Sequence, residues 1–170
     1  AYQDSFPNVF KWINVIHKSV KDNGYAVSLF GRRRNLPNVN SPIKKYQYRA
    51  LRQGLNFVIQ SSASDLMLHS ITRLCKDLKS AGIEYDLLAT VHDSVELQCE
   101  VGDIERCVET MRKSLTATAD LQQYYGLDFV VPFEVDIEAG TSFGDGIEVE
   151  FDSQGSALNT SEIINYVQNN

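Results

Sequence analysis

In the stretch Ala89-Thr90-Val91-His92-Asp93-Ser94-Val95-Glu96-Leu97, a histidine and a carboxylate stand between two apolar runs, where a chain would turn. Two-residue hairpin turns favour Asn-Gly, Asp-Gly or a leading glycine because φ must become positive there. No glycine is near His92 and Asp93. A carboxylate on a tight hairpin is held well enough to ligate a metal, and a histidine beside it can donate to or accept from a substrate. Upstream, Gly31 precedes Arg32, Arg33 and Arg34. Guanidinium groups bond phosphate oxygens in pairs, so this cluster could bind a phosphate backbone. Arg52, Asn56 and Gln60 recur every fourth residue and form one stripe on a helix, with Arg49 and Asp65 close to it. Long amides on a basic helix can read acceptors in a minor groove. Taken singly, each pattern also fits plain solvated surface: an exposed turn, a short charge run, the polar face of a helix.

The elements that position these residues follow from periodicity. Val9, Trp12, Ile13, Ile16 and Val20 recur at three and four, which predicts a helix over 5–22 with Pro7 in its first turn and Asn23-Gly24 closing it. Residues 25–30 read as a short strand and 31–42, rich in Gly, Asn and Pro, as a loop. The longest helical pattern covers 46–80, with Ile59, Ala63, Leu66, Met67, Ser70, Ile71, Leu74 and Leu78 on its buried side and Gly82 at its end. Residues 86–90 and 94–99 read as strands around the His-Asp turn. Ile104, Val108, Met111 and Leu115 mark a further helix. Residues 127–140 read as a strand, at an edge or with a bulge because of Pro132. The division expected is a main body over 1–146 and a polar tail over 147–170, with one short helix at 160–168.

Bulk properties narrow the class. A chain of 170 residues with 43% hydrophobic content is about one domain's worth of globular protein. No run approaches the 18 apolar residues of a membrane span. The first ten residues do not read as a signal peptide. Cys75, Cys99 and Cys107 match neither a disulfide framework nor a zinc pattern, so a reducing, cytoplasmic setting is expected. The net charge of −6 hides an asymmetry. Residues 1–80 hold 13 Lys and Arg against 4 Asp and Glu, a net of +9, and residues 81–170 hold 3 against 18, a net of −15. The basic half suits a polyanion such as nucleic acid.

The order of the patterns is more specific than any one of them. "DSFPNVFKWI", "GYAVSLFGRRRNLP", "RALRQGLNFVIQSSASDLM", "LLATVHDSVEL" and "VPFEVDIEAGTSFGDG", in that sequence, resemble the C-terminal part of family A DNA polymerases, the bacterial polymerase I-like enzymes with their phage and mitochondrial relatives. The resemblance covers about 140 residues. It implies an α+β fold, the C-terminal half of a polymerase palm, with long helices packed on a small antiparallel sheet that carries a catalytic His-Asp hairpin. Asp93 matches the second of the family's two catalytic aspartates, which bind two Mg2+ ions, and His92 matches a histidine that contacts the primer end. Asn56 and Gln60 match residues touching the duplex in its minor groove, and Arg52 matches an arginine of the same helix motif. Arg32, Arg33 and Arg34 match a segment that holds the DNA backbone. The partners implied are primer–template DNA and deoxynucleoside triphosphates.

Departures from the family pattern accompany the matches. Ser94 stands where the family usually has glutamate, and Val58-Ile59-Gln60-Ser61 where it has Pro-Ile-Gln-Gly. Leu51 replaces a glutamate, and Phe143 stands where tryptophan is frequent. The first catalytic aspartate, the nucleotide-binding helix and the thumb belong to earlier motifs that these 170 residues do not contain. The expectation is therefore a polymerase portion, a fragment or split subunit, that is inactive alone and completed by a second chain carrying the other aspartate, the fingers and the thumb. The alternative is a non-catalytic, polymerase-derived module that binds DNA or a partner.

Overall fold

A computed structural model describes residues 2–170. The chain divides into two compact units, one ending at Leu66 and the other spanning Met67–Asn170.

The first unit opens with a short helix, α1 (Tyr2–Ser5), followed by α2 (Pro7–Asn23). Pro7 starts α2, where a missing N–H costs nothing. Gly24, at φ +78, ends it and donates its N–H to the Val20 carbonyl. Only Val20 of the expected α2 stripe is buried, while Val9 and Trp12 remain 47% and 39% exposed. Strands β1 (Tyr25–Val27) and β2 (Arg33–Asn35) pair antiparallel, with Ala26 opposite Arg34. The expected strand over 25–30 thus stops at Val27, and Arg33 and Arg34 lie on a return strand, while Arg32 stays in the turn that leads into it. Gly31 explains the difference: at φ +84 it reverses the chain, with its N–H donating to the Ser28 carbonyl.

Helix α3 (Lys44–Ser80) runs for 37 residues and contributes to both units. Its buried face in the first unit is Ala50, Leu51, Val58, Ser62 and Asp65, not the Ile59 and Ala63 that periodicity favoured. Gly54 lies on that face. A Cβ there would come within 2.9 Å of the Leu36 side chain and 3.2 Å of Val20, so any larger residue would have to push those side chains aside. Val20, Leu36, Val39 and Val58 complete this unit's core.

In the second unit, Ser70, Ile71, Leu74 and Leu78 are buried as expected, and α3 stops at Gly82, φ +68. Strands β3 (Tyr85–Val91) and β4 (Ser94–Cys99) form an antiparallel hairpin with a bulge between Leu87 and Ala89. Val95, Leu97 and Cys99 face a core of Leu74, Leu78, Ile83 and Cys107. A single 3-10 turn leads into α4 (Ile104–Thr116), and α5 (Ala119–Tyr125) follows. Residues 127–137, read above as a strand, form no strand ladder and no regular structure, and Val130 is 94% exposed; at the end of the segment the Ile137 carbonyl accepts the Val149 N–H at 2.7 Å. Pairing resumes in β5 (Glu138–Ser142) and β6 (Asp145–Glu148). Residues 147–170 are not loose. Val149 and Ile163 are buried with Ile104, Val108 and Ile137, and the chain ends in α6 (Thr160–Asn169). Among the described residues the fold is α+β, with three separate two-stranded antiparallel sheets and no helix long and apolar enough to cross a membrane.

Candidate nucleic-acid and metal site

His92 and Asp93 are the two turn residues of the β3–β4 hairpin, closed by the pairing of Val91 with Ser94. His92 takes φ +55 and is the one non-glycine residue with positive φ among those described. Histidine enters this region more readily than most residues, but the position still carries strain, and strain of this kind concentrates at functional sites. Both side chains are exposed. The Ser94 hydroxyl donates to the Val91 carbonyl at 3.0 Å, so it helps close the turn. Strand alternation puts Glu96 on the same face as Ser94. Its Oε1 is buried with no hydrogen-bond partner among the described residues.

Whether these residues fit magnesium can be tested on the donor set. Asp93 offers a hard carboxylate oxygen in an open position, which suits Mg2+. Among the described residues no group of three or more His, Cys, Asp or Glu could hold a metal ion. Asp93 therefore fits one ligand's share of such a site.

In the first unit the three arginines have three different supports. Arg32 donates from Nε to Asp65 Oδ1 at 2.8 Å, with Nη2 at 2.6 Å from the same oxygen. The Arg33 guanidinium lies over the Tyr25 ring at 4.9 Å, and that of Arg34 over Phe57 at 6.0 Å. Cation–π contacts hold a guanidinium in place while leaving its N–H edges open. Arg32, Arg33 and Arg34 are all exposed residues. Arg52, Asn56 and Gln60 form an exposed polar stripe along α3. Asp65 does not join that stripe. Five residues beyond Gln60, it is about 140° further round the helix, on the buried face. The first unit thus carries all the expected DNA contacts except His92, which the second unit carries with Asp93.

Three features were not expected from sequence. One is the buried Asp65 cluster. Another is Glu96. The third is a polar lock in the second unit, where Asp120 accepts from His69 Nε2 at 2.8 Å and from Arg73 Nη1. Arg73 also donates to the carbonyls of Ser114 and Ala117, each at 2.7 Å. Burial alone would raise the Asp120 carboxyl, but the hydrogen bonds from His69 and Arg73 and the Arg73 charge hold it below the usual carboxylate range. An i, i+4 pairing of His69 with Arg73 was the only sequence signal of this lock, and its partner lies 47 residues beyond Arg73. A separate open groove of about 1010 Å³ lies beside α4 and residues 148–158, with Glu109, Arg112 and Lys113 among its lining. None of the expected site residues lines it.

The chain is 31% identical over 147 residues to a DNA polymerase of Bacillus phage SP01, an alignment covering 86% of this chain and 16% of the relative. It is 31% identical over 139 residues to the thermostable DNA polymerase I of Thermus thermophilus, covering 82% and 16%. A DNA polymerase of Escherichia phage T5 is 35% identical over 97 residues, covering 56% and 11%. Among solved structures, the polymerase domain of Pol1 from M. smegmatis, in complex with DNA primer–template and dNTP, superposes with a TM-score of 0.68 at 26% identity. That match covers 78% of this chain and 22% of the other. The chain thus spans about a sixth of the curated relatives named first. The model of DNA polymerase family A matches residues 1–145, and with relatives of this identity over most of its length the chain belongs to that family.

Proposed function

We propose that these residues are the C-terminal palm portion of a template-directed DNA polymerase, in which the primer 3′ hydroxyl attacks the α-phosphate of a deoxynucleoside triphosphate and pyrophosphate leaves. The observation that carries this reading is the exposed Asp93 carboxylate on a turn held by a left-handed histidine, in a family A chain. Asp93 would hold Mg2+ together with carboxylates from the earlier palm motif. Such ions supply a lowered pKa at the attacking hydroxyl and neutralise charge on the departing pyrophosphate. His92 orients the primer end. Arg32, Arg33 and Arg34 hold the backbone, and Arg52, Asn56 and Gln60 follow the minor groove near the insertion site.

One carboxylate is half of a two-ion clamp, so the chain alone extends no primer. Extension is expected when it is combined with a polypeptide carrying the first aspartate, the fingers and the thumb of the same polymerase. In that assembly Asp93→Ala should lower the extension rate by about 10²–10³ or more, the range for removing a preorganised electrostatic group from a transition state. DNA affinity should stay near wild type. Primer extension at near wild-type rate by the Asp93 variant would sink the assignment, as would robust extension by this chain alone.

A further inference from the structure

Asp65 is charged, only 8% exposed, and has no place among the groups that touch DNA in the reading above. Both its oxygens are engaged. Oδ1 receives Nε and Nη2 of Arg32, and Oδ2 receives the hydroxyls of Ser28 at 2.9 Å and Ser61 at 3.4 Å. The network then continues into the backbone of the arginine hairpin. Ser28 Oγ accepts the Arg32 N–H at 3.1 Å, and the Leu29 N–H donates to Ser62 Oγ at 2.9 Å. The Ser28 N–H donates to the Arg32 carbonyl at 2.9 Å, which closes the turn. Five residues of turn, Ser28–Arg32, are thereby tied to one face of α3 at both ends. The next two residues are Arg33 and Arg34. Ser61, which departs from the family's glycine, adds one of these bonds.

Asp65 also dictates which part of Arg32 remains free. The Nε–Nη2 side, the one that grips a carboxylate or phosphate in parallel, is taken. The Nη1 hydrogens and the second Nη2 hydrogen are left for another anion, and the charge of Arg32 is largely matched by its partner. We propose that Asp65 is a positioning residue of the phosphate-binding hairpin. Through Arg32 and Ser28 it fixes the β1–β2 turn so that Arg33 and Arg34 present the unmatched cations. This inference rests on the reading of the hairpin as a DNA contact.

The sign of one substitution separates positioning from simple electrostatics. Removing a carboxylate close to a phosphate site should tighten DNA binding if its charge is all that matters. Positioning predicts the reverse. In the full chain, Asp65→Asn should weaken binding to a primer–template duplex about tenfold, as expected for loss of charge-assisted hydrogen bonds, and should speed amide exchange over residues 28–32. Ser28→Ala should do both to a smaller degree. Arg33→Ala and Arg34→Ala should each lower the slope of log affinity against log salt by about one, and Arg32→Ala by clearly less. Unchanged or tighter binding by folded Asp65→Asn overturns the proposal. If that variant does not fold, Ser28→Ala and Ser61→Gly decide, and wild-type affinity in both overturns it. Should the wild-type chain itself retain no duplex at low salt, the DNA reading of the hairpin falls. The exchange measurement then decides alone whether Asp65 holds the turn, with wild-type rates over 28–32 in Asp65→Asn counting against it.

Discussion

At the scale of single residues, His92 shows how chemistry overrides local preference. A left-handed position in a two-residue turn favours glycine by about 1–2 kcal/mol over a residue with a Cβ. Glycine also gains more freedom in the unfolded chain, which offsets about 0.4–1 kcal/mol of that. His92→Gly should therefore leave the stability of the chain unchanged or raise it by up to about 1.6 kcal/mol in urea denaturation, while impairing nucleotide addition in the assembled polymerase. A clear loss of stability would mean that the imidazole itself holds the turn. Ser94 belongs to the same argument. Its hydroxyl bonds the Val91 carbonyl, so the serine has a structural use at a position where the family has a carboxylate.

Among the elements, α5 is held mainly through polar groups. Leu121 is its buried apolar residue, and Asp120 ties it to α3 through His69 and Arg73. The folded Asp120 carboxyl is depressed below its ordinary value of 3.8, so its contribution to stability is present above about that pH and fades as pH falls through the lower folded value. Melting temperature should drop on acidification below pH 4, and the drop should be smaller in Asp120→Asn. Asp152, lowered chiefly by the backbone N–H groups of Ser156 and Gln154, titrates in the same window, so Asp152→Asn is the necessary control. An identical acid profile in Asp120→Asn and wild type would remove the lock from the account of stability.

The same element shows where sequence reading stops. The course of α2, α3, the His-Asp hairpin and α4 is legible because apolar spacing or turn position marks each. Helix α5 carries no apolar stripe, and besides the single buried Leu121 it is held by contacts distant in sequence, Asp120 with His69 and Arg73 and the Tyr124 and Tyr125 rings edge-on to His69. Residues 127–137 alternate well enough for a strand, yet strand formation needs a partner ladder, and Pro132 removes one donor. In the part of α3 that lies in the first unit, apolar spacing points to Ile59 and Ala63 as the buried face, whereas Asp65 and Ser62 are buried there because hydrogen bonds satisfy them. Of the candidate site, the position of His92 and Asp93 at the hairpin turn was readable. The support beneath Arg32 was not, because it joins residues 33 apart in the chain.

Over the whole molecule, the last 24 residues act as part of a core. Val149 is 5% and Ile163 0% exposed, and each such side chain contributes about 1.5–3 kcal/mol when fully buried. Deleting 147–170 should therefore cost several kcal/mol and expose Ile104, Val108 and Ile137, seen as an earlier urea midpoint and increased binding of an apolar dye. A truncated chain as stable as the full one would show that the segment is dispensable packing. The family match ends at residue 145, so this stabilising role belongs to a portion the family pattern does not describe.

The β3–β4 hairpin raises the remaining question of assembly. It is a two-stranded sheet, and among the described residues neither strand pairs with a third. Two strands alone are marginal in water, and unpaired edges attract further strands. One face is anchored through Val95, Leu97 and Cys99, whereas Leu87, Leu88 and Val91 are 44%, 61% and 46% exposed. In the proposed polymerase both aspartates would hold the same ions, so the strand carrying the first would come close to Asp93. Adding that strand to a free edge of this hairpin satisfies its open backbone groups and brings the second carboxylate to the turn in one step. On mixing with the polypeptide that carries the earlier motifs, amide exchange over residues 85–99 should slow in a stoichiometric complex, and the protection should persist in Asp93→Ala because pairing does not depend on the carboxylate. A complex that extends primers while residues 85–99 exchange as fast as in the free chain would show that the second carboxylate arrives by another route.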